Sequence, residues 1–214
     1  MRVKVCGIKN VKDALKAVEL GVDAVALLVG QKHSANDFID MGQARVITHH
    51  LPPFCSSVLV THIEGCNDIV ALAKFIGVTT IQLHNNSSPD DALHIKHKLP
   101  HIKLIKSLHV VDRTSIEKGR KFLRSVDAIL LDTINLATDQ VGGTGLTHDW
   151  NLSREIVSAY DIPVILAGGL DPDNVALAIE KVMPFGVDAN SGTKGENGFK
   201  DYKKLEAFIR NAKS

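Results

Sequence analysis

The amino-acid sequence predicts an α/β protein, a single (β/α)8 TIM barrel that spans residues 1–214. Three observations support this class. Short apolar runs alternate with segments whose apolar residues recur at helical spacing, a pattern that favours a parallel sheet. Eight such units follow one another along the chain, which favours closure into a barrel over an open, doubly wound sheet. The sequence contains no linker, low-complexity run or shift in composition that would mark a second domain.

The predicted strand at residues 128–131 is a short, unbroken apolar run, as expected for a parallel strand buried on both faces. Gly21 and Gly77 end the first and third predicted helices, and Pro89 suits the first turn of a helix capped by Ser88. Asp149 is the predicted cap of the sixth helix. The predicted strands comprise residues 3–6, 24–29, 57–60, 80–83, 103–106, 128–131, 164–166 and 186–188. The predicted helices comprise residues 11–20, 40–49, 68–76, 89–98 and 114–123, and three more begin near residues 152, 172 and 201.

The composition of the chain argues against several classes of function. The chain has 25 basic and 24 acidic residues, a formal charge of +1, so nothing favours nucleic acid or an anionic membrane as partner. Cys6, Cys55 and Cys66 form no CxxC pair and no zinc-type spacing, which argues against a disulfide framework or a metal site. No apolar stretch approaches the roughly 18 residues of a membrane span. The sequence therefore predicts a cytoplasmic protein that acts on a small molecule.

In a β/α barrel the residues that follow each strand are the candidates for chemistry, because active sites lie at the carboxyl ends of the strands. The sequence offers a short set of such residues. It comprises Cys6-Gly7, residues 30–37, Thr61-His62, His84-Asn85, Ser107, Asp132-Thr133, Gly168-Gly169 and Asn190-Ser191-Gly192.

Two of these segments predict a phosphate site. Gly168 and Gly169 follow the seventh strand, where a backbone without Cβ atoms approaches an oxyanion closely. Residues 190–192 follow the eighth strand, with a serine hydroxyl and the start of a short extra helical turn. Lys194 is a further source of positive charge, although a solvated lysine is its default interpretation. Glycine turns after strands seven and eight form the recurrent phosphate-binding site of this fold.

The connection of residues 133–149 is long for a loop of this fold, in which about two to six residues are usual. It contains Gly142-Gly143-Thr144-Gly145. We interpret it as an ordered loop that covers the substrate, and the alternative is a disordered insertion.

Motifs along the whole chain resemble those of the phosphoribosylanthranilate isomerase family. They are KVCGI at 4–8, QLH at 82–84, LLDT at 130–133 with GGTG at 142–145, LAGGL at 166–170, and GVD at 186–188 with Ser191-Gly192. Their order and spacing make the resemblance specific.

The resemblance implies an enzyme of tryptophan biosynthesis that works without cofactor or metal, as a monomer or a homodimer. It implies an Amadori rearrangement of N-(5-phosphoribosyl)anthranilate to 1-(2-carboxyphenylamino)-1-deoxyribulose 5-phosphate, with Cys6 as general base and Asp132 as general acid. A thiolate base needs cationic neighbours, and a carboxyl acts as an acid near neutrality only where its surroundings raise its pKa. The implied phosphate-binding residues are Gly143, Gly168, Gly169, Asn190, Ser191 and Gly192. The implied substrate-binding residues are Lys32, His33, Asp37, His62, His84 and Asp188.

This sequence departs from the family in the loop that should receive the anthranilate. Asp37 stands where the family usually has an arginine, so either Lys32 or His33 substitutes for it or the ligand differs. Thr61-His62 and Asn85 are further departures. Two alternatives to the family reaction therefore stay open. One is an isomerase for a different phosphorylated aminosugar, and the other is a barrel that binds a sugar phosphate without catalysis.

Overall fold

Eight parallel strands close into a barrel in the computed structural model of the protein, which describes residues 1–30, 37–135, 140–141 and 148–214. The predicted fold class is confirmed. Neighbouring barrel strands follow chain order, and the first strand closes the ring against the last. The barrel strands are β1 (Arg2–Val5), β2 (Ala24–Leu28), β3 (Ser56–Thr61), β4 (Thr80–Leu83), β5 (Lys103–His109), β6 (Ala128–Asp132), β9 (Val164–Leu166) and β10 (Gly186–Ala189).

Helices begin and end close to the predicted positions. Ser88 and Asp91 form a capping box with Pro89 in the first turn, Asp149 caps the sixth helix, and Gly77 ends the third in a left-handed conformation. The helices are α1 (Val11–Glu19), α2 (Met41–His50), α3 (Cys66–Ile76), α4 (Pro89–Lys98), α5 (Thr114–Arg120), α6 (Trp150–Ala159), α7 (Val175–Val182) and α8 (Tyr202–Lys213).

Alternation along the strands produces two apolar layers. The main core lies between the sheet and the helices, and Val3, Val5 and Phe208 are fully buried in it. The opposite strand face lines the inside of the barrel, where two smaller clusters form. They contain Cys6, Ala26, Val58 and Val60 on one side, and Ile105, Ala128, Leu130 and Ala167 on the other.

Three features differ from or add to the predicted elements. β5 continues to His109, three residues beyond its predicted end, because its pairing with β6 extends to the register pair His109 and Asp132. A short hairpin of β7 (Ile134–Asn135) and β8 (Gln140–Val141) lies in the connection after β6. The predicted extra turn after β10 is a 3-10 turn, Ser191–Thr193.

All three cysteines are free thiols. None of the helices in the described ranges is long and apolar enough to cross a membrane.

Candidate active site

A buried ion pair lies inside the barrel below the candidate catalytic residues. Lys4 Nζ donates to Asp188 Oδ2 at 2.6 Å, and the two side chains are 5% and 8% exposed. The residues are register partners on adjacent strands β1 and β10. Burial opposes the charge of Lys4, but Asp188, Cys6 and Asp132 together raise its pKa. Lys4 therefore stays cationic and supplies a fixed positive charge to the mouth of the barrel.

Cys6 follows β1 and points into the barrel, because it lies on the same strand face as Lys4. Burial raises the pKa of its thiol to about 11, with contributions from Asp188 and Asp37. Lys4 and Lys200 act in the opposite direction. The cationic neighbours that a thiolate base requires are thus present, but burial outweighs them, and Cys6 is a neutral thiol in the free protein.

Asp132 is the last residue of β6 and is 8% exposed. Burial raises its pKa to about 6, and Asp188 adds to this effect, whereas the N–H of Thr133 (2.8 Å) and the charge of Lys4 oppose it. A carboxyl with this pKa holds a proton in part of the molecules near neutrality, as a general acid must.

The loop after β9 brings two glycine N–H groups to the mouth. Gly168 and Gly169 have φ of +82° and +66°. A Cβ atom on Gly168 would lie 2.1 Å from Thr133 Oγ1, so only glycine fits beside that side chain. Among the described residues, neither glycine N–H donates to a protein acceptor. Both donors are therefore available to an anion.

The loop after β10 is equally open. Within the described part of the chain, the N–H groups of Ser191 and Gly192 also have no protein acceptor. Lys200 holds this loop, since its Nζ donates to Asn190 O at 3.0 Å and to Thr193 Oγ1 at 2.9 Å. Burial lowers the pKa of Lys200 to about 8. The four free N–H groups of the two loops match the predicted phosphate site.

Asp37 contacts the loop after β10. Its Oδ2 accepts a hydrogen bond from Asn190 Nδ2 at 3.0 Å and forms an ion pair with Lys194 Nζ. The expectation of a solvated Lys194 is therefore wrong, because Asp37 engages its ammonium group. The same ion pair offsets the negative charge of Asp37. From the sequence alone, this charge was expected to face the carboxylate of the anthranilate.

His62 and His84 lie at the ends of β3 and β4, with ring centroids 5.1 Å apart. His84 Nδ1 lies 3.1 Å from Ser107 Oγ, which itself accepts from Gln82 Nε2 at 3.0 Å. His84 Nε2 faces Asp132 Oδ2 at 3.8 Å, too far for a hydrogen bond. The structure thus brings His84 and Asp132 together at the mouth.

Three predicted site residues, Lys32, His33 and Gly143, lie outside the described residues, as does most of the predicted covering loop. Among the described residues, no group of three or more His, Cys, Asp or Glu side chains has the geometry to hold a metal ion.

Sequence reasoning missed Lys4, His109 and Lys200. His109 was missed because the predicted fifth strand ended at Lys106, three residues short of the mouth. Lys4 carried a usable signal, since a lysine inside a strand that is buried on both faces requires a partner of opposite charge. Lys200 lay far from any predicted strand end, and its role depends on the loop it contacts.

The closed barrel carries a buried carboxyl and a buried thiol at the carboxyl ends of its strands, where enzymes of the β/α-barrel class have their active sites. The sequence model of the N-(5'-phosphoribosyl)anthranilate isomerase family matches residues 3–211. The chain belongs to this family and is an isomerase.

Relatives and solved structures agree with this assignment. The chain is 48% identical to N-(5'-phosphoribosyl)anthranilate isomerase 2 of Methanosarcina mazei, over 100% of this chain and 95% of the relative. It is 45% identical to the isomerase of Methanocella arvoryzae, over 97% and 96%. The isomerase of Thermotoga maritima superposes with a TM-score of 0.88 at 36% identity, covering 100% and 98%. A further isomerase structure contains reduced 1-(o-carboxyphenylamino)-1-deoxyribulose 5-phosphate and superposes with a TM-score of 0.85 at 34% identity, also covering 100% and 98%.

Proposed function

We propose that this chain isomerises N-(5-phosphoribosyl)anthranilate with Asp132 as general acid and Cys6 as general base. As a member of its family, it is a phosphoribosylanthranilate isomerase of tryptophan biosynthesis. The observation that carries the residue assignment is the pKa of Asp132, which is raised to about 6. Asp132 and Cys6 both act on the charge of the same buried residue, Lys4.

The first step opens the ribose ring. Asp132 donates its proton to the ring oxygen, the bond from C1 to that oxygen breaks, and the nitrogen lone pair forms the iminium. Burial makes this proton available near neutrality, because it disfavours the charged carboxylate. Lys4 then stabilises the carboxylate that remains.

The second step removes the proton from C2. Cys6 acts as a thiolate in the form of the pair whose one shared proton began on Asp132, the group that donated it in the first step. The thiolate takes the proton from C2, the electron pair of the C–H bond forms the C1–C2 double bond, and the iminium nitrogen becomes neutral. The enolamine then tautomerises to the ketose. The positive iminium favours the thiolate beside it, in the same direction as Lys4 and Lys200.

The phosphate of the substrate is held by the N–H groups of Gly168, Gly169, Ser191 and Gly192, with Asn190 shaping the second loop. Gly143 is proposed as a further donor on the strength of its motif. Phosphate bound at β9 and β10 leaves the rest of the substrate to extend across the mouth towards β3, β4 and β5. Among the substrate-binding residues predicted from sequence, His62 and His84 lie on that side. Asp188 lies in β10, inside the barrel below the mouth, and Asp37 contacts the loop after β10.

The role assignment is tested with the Cys6→Ala and Asp132→Asn variants. Loss of phosphoribosylanthranilate is followed by fluorescence, and circular dichroism checks the fold. Each variant should lower kcat by about 100-fold or more, since each removes one proton-transfer group. Retention of most of the wild-type kcat by either variant would overturn its role, and absence of turnover by the folded wild type would overturn the reaction.

We infer that the enzyme acts in the cytoplasm as a monomer or a homodimer. One solved relative, from Thermotoga maritima, is described as dimeric. Phe54 is fully exposed at a positive φ in the turn before β3 and offers an apolar contact to a second copy. Sedimentation velocity distinguishes the 23.2 kDa chain from a species of twice that mass.

A further inference from the structure

Three histidines line the side of the barrel mouth that lies across from the phosphate loops. His62 follows β3, His84 follows β4, and His109 ends β5. The ring centroids of His62 and His84 are 5.1 Å apart, and those of His84 and His109 are 5.3 Å apart. We call these residues the histidine trio. In the closed ring, β3, β4 and β5 lie opposite β9, β10 and β1, so a ligand held at the glycine loops extends towards the trio.

Two ring nitrogens of the trio are buried without a partner among the described residues. They are His84 Nε2 and His109 Nδ1. The other nitrogen of His84 is already engaged by Ser107 Oγ. Buried polar atoms of proteins are nearly always hydrogen-bonded, so two unpartnered nitrogens on adjacent strands mark a place for polar atoms of a ligand.

The charges around the trio favour an anion. Lys106 and Lys4 face it from β5 and β1, and Asp132 faces it from β6. Burial is the main reason that the pKa of His84 lies well below 6.5, and His109, His62 and the two lysines add to it. Burial, Lys106 and His62 lower the pKa of His109 to about 4. His84 and His109 are therefore neutral near pH 7, and a bound anion would offset the positive surroundings.

We infer that the histidine trio is the subsite for the carboxylate on the aromatic ring of the substrate, and that this carboxylate binds together with one proton. The inference rests on the proposed function, whose substrate carries such a carboxylate. The proton comes from solvent and protonates a ring of the trio, so that the bound pair is imidazolium and carboxylate. The neutral ring nitrogens provide the first hydrogen bonds, and the incoming charge then raises the histidine pKa.

The position of Asp37 supports this assignment. Asp37 and Lys194 pair with each other beside Asn190, next to the phosphate loop after β10. Lys194 is thus engaged by a carboxylate of the protein on the phosphate side of the mouth. The trio is the cluster of described side chains that combines open ring nitrogens with a positive environment on the opposite side.

The test compares two inhibitors by isothermal titration calorimetry. One is reduced 1-(o-carboxyphenylamino)-1-deoxyribulose 5-phosphate, and the other has an unsubstituted phenyl ring. The wild type should bind the carboxylated compound about tenfold more tightly or better. His62→Gln, His84→Gln and His109→Gln should each reduce this preference, the ratio of the two affinities, several-fold. His97→Gln, on the exposed face of α4, is the matched control and should keep the wild-type preference.

Proton uptake is measured in the same titrations at pH 7.5, with buffers of different ionisation enthalpy. Binding of the carboxylated compound should take up about one proton more than binding of the phenyl compound. A preference that persists in all three trio variants, or equal proton uptake for the two compounds, overturns the inference. Failure of the wild type to bind either compound would instead overturn the proposed function, since both carry the phosphate and the reduced pentose chain.

Discussion

At the scale of single residues, burial controls ionisation at this site. The pKa of Cys6 rises to about 11 and that of Asp132 rises to about 6, in both cases with burial as the largest cause. The proposed reaction needs the opposite arrangement, a thiolate on Cys6 and a proton on Asp132. Between these two pKa values the pair holds one proton, mainly on the thiol, and the fraction that has it on Asp132 does not change with pH.

This arrangement predicts a flat pH dependence. We expect kcat/KM to change less than about threefold from pH 7 to pH 8, because Cys6 and Asp132 together keep one proton in that range and Lys200, with a pKa of about 8, stays at least half protonated. A fluorescence assay of initial rates, in buffers of constant ionic strength, measures kcat/KM at each pH. The phosphate group of the substrate has a pKa of about 6. The pH dependence of kcat/KM therefore reports on Cys6 and Asp132 only above pH 7. A tenfold fall in kcat/KM between pH 7 and pH 8 would contradict the raised pKa of Cys6.

The buried pair of Lys4 and Asp188 predicts an asymmetry between single and double substitutions. Lys4→Met leaves Asp188 as an uncompensated buried charge and should lower the free energy of unfolding by about 3–5 kcal/mol. The double variant Lys4→Met, Asp188→Leu removes both charges and should be more stable than Lys4→Met alone. Urea denaturation measures both. Equal stability of the single and double variants would mean that burial of Asp188 has no such cost.

At the scale of elements, the loop after β9 needs glycine at position 168 for two separate reasons. Gly168 has a positive φ, and a Cβ atom there would also lie 2.9 Å from the backbone N of Thr133. Gly168→Ala should therefore lower stability by about 1–3 kcal/mol and weaken the binding of inorganic phosphate. Thermal unfolding with and without phosphate measures the two effects.

Gly21 offers the matched control for that substitution. Its φ is +95°, but a Cβ atom there would have nothing within 4 Å. Gly21→Ala therefore tests backbone strain without close approach, and phosphate should stabilise this variant as much as the wild type. If Gly168→Ala keeps the full stabilisation by phosphate, the loop after β9 is not part of the phosphate site.

Boundaries of elements could be predicted where local chemistry decides them. The capping box at Ser88 and the left-handed Gly77 are local devices, and both ends lie where the sequence placed them. The carboxyl end of β5 could not be predicted, because the polar Ser107 and the basic Lys106 break the apolar run. The strand continues to His109 because β6 pairs with it as far as Asp132.

At the scale of the whole molecule, buried neutral histidines predict sensitivity to acid. Burial is the main cause that lowers the pKa of His84, of His109 to about 4 and of His148 to about 4. Below pH 6.5 the unfolded chain therefore binds protons that the folded chain does not, and stability falls as pH falls. Asp132 acts in the opposite direction below pH 6, since its folded pKa is raised, but it is one group against three.

We therefore expect the free energy of unfolding to decrease by about 2–4 kcal/mol between pH 7 and pH 5. Urea denaturation at a series of pH values measures this change. His109→Gln should reduce the pH dependence, because it removes one of the three groups. A free energy of unfolding that is constant from pH 7 to pH 5 would show that these histidines are accessible to protons in the folded protein.

The sequence by itself determined the barrel, the order of its strands, the residues at the carboxyl ends of the strands other than β5, and the family. This information is local, because alternation, apolar runs and caps are properties of neighbouring residues. The tertiary structure alone decided which groups meet at the mouth. Lys4 and Asp188 are 184 positions apart, Asp37 and Lys194 are 157 apart, and the histidine trio combines three strands. Barrel closure and strand register create these contacts, and with them the burial that sets each pKa.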